Sequence, residues 1–264
     1  MTDYVSAGSN GSAGFAQPLL SGEGTGRIPV RSFVKNEILA RLSCQGLSEI
    51  GRCLEPIVLK ERMVLQEPRR KLDYVYFIES GLVSLRIAAA GAIVETAVIG
   101  YRGAVGASRL VGGHVSTHQS VVLFPGTAHR IDVEALRGLM NARPEILDRL
   151  AWYVQALGLH CAQTGFCGVC HNREKRLATW LCLASDAIDA QVLPVTHDYL
   201  SSVLGLRRAG ITETLNLFEE LGLIQKTRGV LQIGNRDSLE HRTCCCYKLI
   251  SAAYSSTDTE LARF

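Results

Sequence analysis

Little in this chain is extreme, and each modest quantity closes off a class of protein. Net charge is only +3 over 264 residues, from 28 basic and 25 acidic side chains, so bulk electrostatics alone names no nucleic-acid or membrane partner. No uninterrupted apolar run reaches the roughly 18–20 residues of a spanning helix. The longest candidate, Leu82 to Gly100, is broken by Arg86, Gly91 and Glu95. The N-terminus, MTDYVSAGSN, has neither the basic start nor the apolar core of a secretory leader. Nine cysteines without such a leader point to reduced thiols in a cytoplasm, not to a disulfide scaffold. No phosphate-cradling glycine loop, paired carboxylates or nucleophile constellation announces catalysis, and no enzyme is expected. The length suits one large or two modest domains, each able to bury a core.

What is present centres on Leu193 to Ile233. Thr196 is placed to cap a short helix, His197 to Leu204, whose Leu200, Val203 and Leu204 face inward. Gly205 stands where a left-handed residue ends such a helix. A longer helix is expected from about Arg207 to Leu221, with Ile211, Leu215, Phe218 and Leu221 on one buried face. At 100° per residue, Ala209, Thr212, Glu213, Asn216 and Glu220 fall on the opposite face, with Arg207 and Arg208 in the first turn. Short alternating strands follow around the turn Thr227-Arg228-Gly229. Two helices meeting at a glycine, with a hairpin after them, describe a winged helix-turn-helix that lays its second helix in a major groove. In that arrangement Arg207 and Arg208 pair with guanine or phosphate, while Thr212, Glu213 and Asn216 face bases. Thr196, Lys226 and Arg228 hold phosphates.

These residues resemble the helix-turn-helix of the Crp/Fnr superfamily of bacterial transcription regulators, and the likeness extends from about Asn36 to Tyr247. The resemblance implies that Arg208 contacts bases. Ala209 and Glu213 depart from the cyclic-AMP receptor pattern of glutamate and arginine, so the operator sequence does not carry over. It also implies an N-terminal cyclic-nucleotide-binding-like sensor domain, a long dimer helix and, for an activator, contact with RNA polymerase.

Residues 1–30, rich in Gly, Ser and Ala, read as a disordered arm. From Glu55 onward short apolar runs are punctuated at Pro68, Ser80-Gly81, Gly91, Gly100, Gly112-Gly113 and Pro125-Gly126, the spacing of a jelly-roll-like double-sheet β-roll. Asn36 and Asp132 are cap candidates for helices that flank it. The family's nucleotide cassette is degenerate here. Gly106 fits, but Ala107 replaces the ribose-binding glutamate and Ser116 or Thr117 replaces the phosphate-binding arginine. A buried phosphate without a cation is heavily penalised, so the effector is unknown and neither cyclic AMP nor cyclic GMP is expected. Arg109, in the same loop, is the one residue that opposes this.

Pro144 opens a long helix on which Ile146, Leu150, Tyr153 and Leu157 recur at 4-3-4 spacing, a seam suited to a twin helix or to the chain's own roll. The resemblance makes it the dimer axis. Leu177, Trp180, Leu181 and Ala184 mark a helix from Asn172 to Ile188; Ser238 to Tyr247 reads as a last helix and the stretch from Ser251 as a loose tail. The expected architecture is therefore α+β: a sensor at 31–142, a dimerisation helix at 143–171, a winged helix-turn-helix at 172–250 and a tail at 251–264. The partners are double-stranded DNA and a second copy, with no membrane.

Cys161, Cys167 and Cys170, with His160 and His171 nearby, lie toward the end of the long helix, and Cys244, Cys245 and Cys246 form a second group that could face it. Cys167, Cys170 and His171 would share a face of a continuous helix. The bland reading is small buried hydrophobes; the alternative is a regulator responding to redox state or metal. His114, His118 and His129 raise a cupin-like metalloenzyme barrel, but the H-x-H pair with its downstream glutamate is absent.

Overall fold

The protein is described here by a computed structural model covering residues 34–89, 91–108 and 115–255. The N-terminal arm, Arg109, His114 and the last residues of the tail lie outside the described residues. Helix α1 (Glu37–Ala40) is capped by Asn36, which accepts from the Ile38 and Leu39 amides and donates to the carbonyls of Ile78 and Gly103. Helix α2 (Cys44–Gly51) is capped by Ser43. Through Ile38, Leu39, Leu47 and Ile50 these helices share a core with Val75, Phe77 and Ile131 of a double-sheet roll.

The roll contains β1 (Glu55–Leu59), β2 (Val64–Gln66), β3 (Tyr74–Ile78), β4 (Leu82–Ala89), β5 (Ala92–Ile99), β6 (Ala104–Val105), β7 (Gln119–Phe124) and β8 (Gly126–Asp132). One sheet runs β1-β8-β3-β6 and the other β2-β7-β4-β5, all neighbours antiparallel. Alternate residues point between the sheets, where Leu59, Ile78, Val83, Leu85, Ile99 and Val122 form the core. At the tip of β3–β4, Gly81 takes φ +85°, and a side chain on facing Gly126 would collide with the Ser80 carbonyl. That explains two of the punctuating glycines.

Asp132 caps α3 (Val133–Ala142) through the amides of Glu134 and Ala135. Helix α4 (Pro144–Cys170) follows, 27 residues and about 40 Å long. Its stripe Ile146, Leu150 and Tyr153 is buried in the protein's own core beside Val75, Phe77, Ile131 and Leu136, and Leu157 packs between that core and the roll interior. Tyr153 Oη donates to the Ala104 carbonyl at 2.9 Å. This corrects the assignment of Ile146, Leu150, Tyr153 and Leu157 to a seam between twin helices: the roll already covers them. The uncovered face of α4 carries Leu147, Gln155, Gly158, Ala162, Phe166 and Val169.

Helix α5 (Arg173–Ile188), strand β9 (Val192–Leu193), helices α6 (His197–Leu204) and α7 (Arg208–Glu220), strands β10 (Ile224–Thr227) and β11 (Val230–Ile233) and helix α8 (Arg236–Glu240) build a helical unit with a small β10-β11-β9 sheet. Gly205, at φ +59°, ends α6 in the left-handed region. Leu177, Leu181, Leu200, Ile211, Leu215 and Phe218 share one core with Leu231 and Ile233 of the hairpin. The expected helix Ser238–Tyr247 proves to be two, α8 and α9 (Cys245–Ser255), and the stretch from Ser251 to Ser255 is helix, not loose tail. The reason is a buried stripe at three- and four-residue spacing, Tyr247, Ile250, Ala253 and Tyr254. Helix α9 leaves the winged-helix core at Tyr247 and returns along α4. There Tyr254 meets the Tyr153 ring at 6.3 Å and places its hydroxyl 3.1 Å from His160 Nδ1.

The reading unit also rests on the roll. Leu82, Val98 and Phe124 belong to the winged-helix core cluster, and the Tyr101 amide donates to the Ala187 carbonyl at 3.1 Å. At Gly100 a Cβ would collide with that same carbonyl. Only a residue without a side chain lets backbone approach backbone here.

Candidate nucleic-acid interface and a thiol–imidazole cluster

Helix α7 buries Ile211, Thr214, Leu215 and Phe218 and leaves Arg207, Arg208, Ala209, Glu213, Asn216, Glu219 and Glu220 exposed. Among the described residues nothing covers this polar face. Arg207 occupies the N-cap position of α7 and no side chain caps its first amides, so donors and two guanidinium groups stand together, the arrangement that attracts a phosphate. Arg208 Nε lies 2.6 Å from Asp198 Oδ1 and Glu213 Oε2 lies 2.8 Å from Arg173, all of them well exposed. Such pairs contribute little, so both side chains can exchange partners. Thr212 Oγ1 is 3.0 Å from His197 Nδ1. Burial, then the charges of Lys226 and Arg208, lower the His197 pKa.

On the wing, Lys226 Nζ bridges Glu219 at 2.9 Å and Asn216 Oδ1. Arg228 stands exposed at the hairpin tip. Thr196 caps α6, its Oγ1 accepting from the Tyr199 amide at 3.2 Å, and the residue stays exposed. The Lys226–Asn216 contact joins the wing to the exposed face of α7, while Arg207, Arg228 and Thr196 are exposed. Asp198 and Arg173 were invisible to sequence reasoning as partners of this face, because no local spacing joins α5 or α6 to α7.

In the roll, Gly106 has φ +92° and Ala107 is buried. Ser116 is buried too, with its hydroxyl taken up by Gln66 and by the carbonyl of His118 at 2.7 Å, while Thr117 Oγ1 lies 2.7 Å from His118 Nδ1. None of Gly106, Ala107, Ser116 and Thr117 is a cation, and Arg109 lies outside the described residues. His118 and His129 do not converge: His129 Nδ1 pairs with Glu79 at 3.2 Å.

The second constellation lies where α4 ends. Cys167, His171, Cys244 and Cys246 bring three sulfurs and an imidazole nitrogen within 4.8 Å of one another. Cys167 Sγ is 3.5 Å from Cys244 Sγ, and Cys246 Sγ is 3.7 Å from His171 Nδ1. The three cysteines are buried, and His171 is half-buried with Phe166 edge-on at 5.7 Å. Cys170, expected in this group, is exposed and stands apart. Helix α4 stops at Cys170 and His171 is already extended, so its ring swings toward α9 while Cys170 faces solvent. Cys161 packs instead against the roll interior, and Cys245 is exposed, with its Sγ 3.9 Å from His171 Nε2. The Cys244 thiol pKa is lowered, chiefly by the Cys167 thiol and then by Thr179 and the Cys246 amide, against the pull of burial.

A third feature joins the halves. Glu95 on β5 is buried and accepts from Ser84, from Trp180 Nε1 on α5 and from Tyr199 Oη on α6 at 2.7 Å. Burial raises its carboxyl pKa despite those donors. Beside it a cavity of about 210 Å³ opens between β5, α4, α5 and α6, lined by His160, Cys161, Trp180 and Val203 among others.

The described residues form a double-sheet roll followed by a winged helix-turn-helix whose polar helix face is open. Residues 175–242 match the family model of the Crp-like helix-turn-helix domain. The fold is that of solved Crp/Fnr regulators. FixK2 of Bradyrhizobium japonicum is 14% identical, with 73% of this chain and 98% of that one covered and a TM-score of 0.63. A Crp/Fnr-family transcriptional regulator from Thermus thermophilus is 20% identical over 71% and 97% of the two chains, at TM-score 0.58. The c-di-GMP responsive global regulator CLP of Xanthomonas campestris is 14% identical over 73% and 100%, at TM-score 0.58. No curated protein sequence matches the chain. The match places a Crp-like helix-turn-helix domain at residues 175–242, within a chain that shares the fold of Crp/Fnr regulators. None of its described helices is long and apolar enough to cross a membrane.

Proposed function

We propose that the protein works in the cytoplasm as a homodimer that reads a palindromic operator under the control of a signal other than cyclic AMP or cyclic GMP. The observation that carries this reading is the uncovered polar face of α7, with Arg207 and Arg208 at its uncapped start. Two such helices enter successive major-groove turns about 34 Å apart. Arg208 pairs with a base edge and Arg207 with base or phosphate. Glu213 accepts from a cytosine amino group once Arg173 releases it, and Thr212 and Asn216 flank it. Thr196, Lys226 and Arg228 hold the backbone.

The twin helix lies against the outward face of α4, where Gly158 and Ala162 allow close approach and Leu147, Phe166 and Val169 supply apolar area. The roll at 31–142 is the sensing domain, 143–171 the relay and 172–250 the reader. An activator of this kind also contacts RNA polymerase.

Selection of bound sites from random DNA tests this reading and should return an inverted repeat. Against the selected site, Arg208→Ala should cost about 1–3 kcal/mol and relax preference at one base pair, whereas Arg228→Ala should weaken all sequences alike and flatten the salt dependence. Unchanged binding by Arg208→Ala would mean that α7 is not the reading helix.

A further inference from the structure

We infer that Cys167, His171, Cys244 and Cys246 form a closed tetrahedral site for a divalent ion of the zinc class, which fastens the start of α9 to the end of α4. Four observations converge on it. The ligand set is three thiols and one imidazole, the soft sulfur-rich combination that selects zinc over calcium or magnesium. Zinc–sulfur and zinc–nitrogen bonds of about 2.3 and 2.0 Å in a tetrahedron set sulfurs roughly 3.7 Å apart and sulfur and nitrogen roughly 3.5 Å apart; here Cys167 Sγ and Cys244 Sγ are 3.5 Å apart, Cys246 Sγ and His171 Nδ1 3.7 Å, and all four ligand atoms lie within 4.8 Å of one another. The chain supplies the ligands in two short bursts: Cys167 in the last turn of α4 with His171 at its extended C-cap, and Cys244 and Cys246 bracketing the first residue of α9. Supporting contacts are already in place. Thr179 Oγ1 lies 3.2 Å from Cys244 Sγ and accepts from the Cys244 amide at 3.2 Å, and the Phe166 edge orients the His171 ring.

Four protein ligands leave no open position, so the ion is structural and not catalytic. Its effect is positional. Cys167 lies in the last turn of the relay helix and His171 just beyond its end, while Cys244 precedes α9 and Cys246 lies in its first turn. An ion shared by all four fixes the start of α9 to the end of the relay helix. Binding to this arrangement alone stabilises it by mass action, so loss of the ion loosens the angle at which α7 is presented.

The test uses the full chain purified under reducing conditions without chelator. Elemental analysis should find about one zinc per chain, and cobalt(II) replacing it should give the intense absorption of tetrahedral thiolate coordination. Cys246→Ser should retain less than about a tenth of the metal, and Cys170→Ser, at the same helix end but outside the group, should retain all of it. Should Cys246→Ser fail to fold, His171→Asn removes a half-buried ligand near the surface, and its cobalt spectrum should weaken and shift. The inference is overturned by wild-type protein that holds no zinc and takes up no cobalt(II). It is equally overturned by metal content unchanged in Cys246→Ser or His171→Asn, or by a Cys167–Cys244 disulfide in protein prepared without oxygen. DNA binding measured on the same samples separates the two readings: a metal-free protein that still selects a palindrome leaves the regulator standing and removes only the ion.

Discussion

Replacing Glu95 by Ala should separate the reading unit from the roll more effectively than any other single change on this contact. Two of the donors to Glu95, Trp180 and Tyr199, come from α5 and α6, and both lie in the cross-domain contact. A hydrogen bond to a carboxylate is worth about 1.5–3 kcal/mol, and a buried donor left without an acceptor costs about 1–3 kcal/mol. Relief from burying the acid offsets part of this, so a net loss of roughly 3–5 kcal/mol is expected. Trp180 reports the event directly, since the other tryptophan, Trp152, sits on α4 under the Arg41 guanidinium. Urea unfolding followed by fluorescence should show an early phase with red-shifted emission that the wild type lacks. In a cycle with Tyr199→Phe the two changes should be non-additive by about 1.5–3 kcal/mol.

The pH dependence has a definite sign. Burial holds the Glu95 carboxyl above the ordinary carboxylate range, so its contribution is complete in acid and is lost as pH rises through the raised value. That slope should vanish in Glu95→Ala. Unchanged midpoints and emission, or strict additivity with Tyr199→Phe, would refute the latch.

Three further outcomes are expected. His160 is fully buried and burial lowers its pKa to about 4. Its stabilising contribution is therefore complete above the unfolded value near 6.5 and falls away by about 3 kcal/mol as pH drops toward 4, and His160→Leu should flatten that part of an acid titration followed by circular dichroism. Gly100→Ala forces a methyl against the Ala187 carbonyl and should cost about 1–3 kcal/mol in chemical denaturation; no change would mean that this approach is not held in solution. Ala162→Glu places like charges across the proposed twin seam, and should raise the dimer dissociation constant at least about 10-fold in analytical ultracentrifugation while leaving each protomer's fold intact.

Much of this architecture was legible because period and punctuation agreed. Ile211, Leu215 and Phe218 at helical spacing, closed off by Gly205 in front, fixed α7 within a residue or so at each end. The glycine breaks separated the strands of the roll, though β6 is two residues long and no pattern can register over so short a run. The α4 stripe taught a different lesson. Periodicity identified the buried face at Ile146, Leu150 and Tyr153, but burial against one's own roll and burial against a twin leave the same pattern. The face that remains open is made of Gly158, Ala162 and their neighbours, whose smallness gives little hydrophobic signal. For the thiol cluster, the sequence placed Cys167 and His171 close together. Only the fold, by turning α9 back on α4, could choose Cys244 and Cys246 over Cys170.

That return of α9 has a mechanical consequence. A reader joined to its sensor by one hinge can swing like a door. Here Tyr247 is seated in the winged-helix core while Tyr254, at the far end of the same short rod, is wedged against Tyr153 and His160, so the assembly is a frame braced on two sides. Pivoting such a frame about one hinge would break the Tyr254 contacts with Tyr153 and His160, whereas sliding α9 along α4 would not require α9 to leave α4.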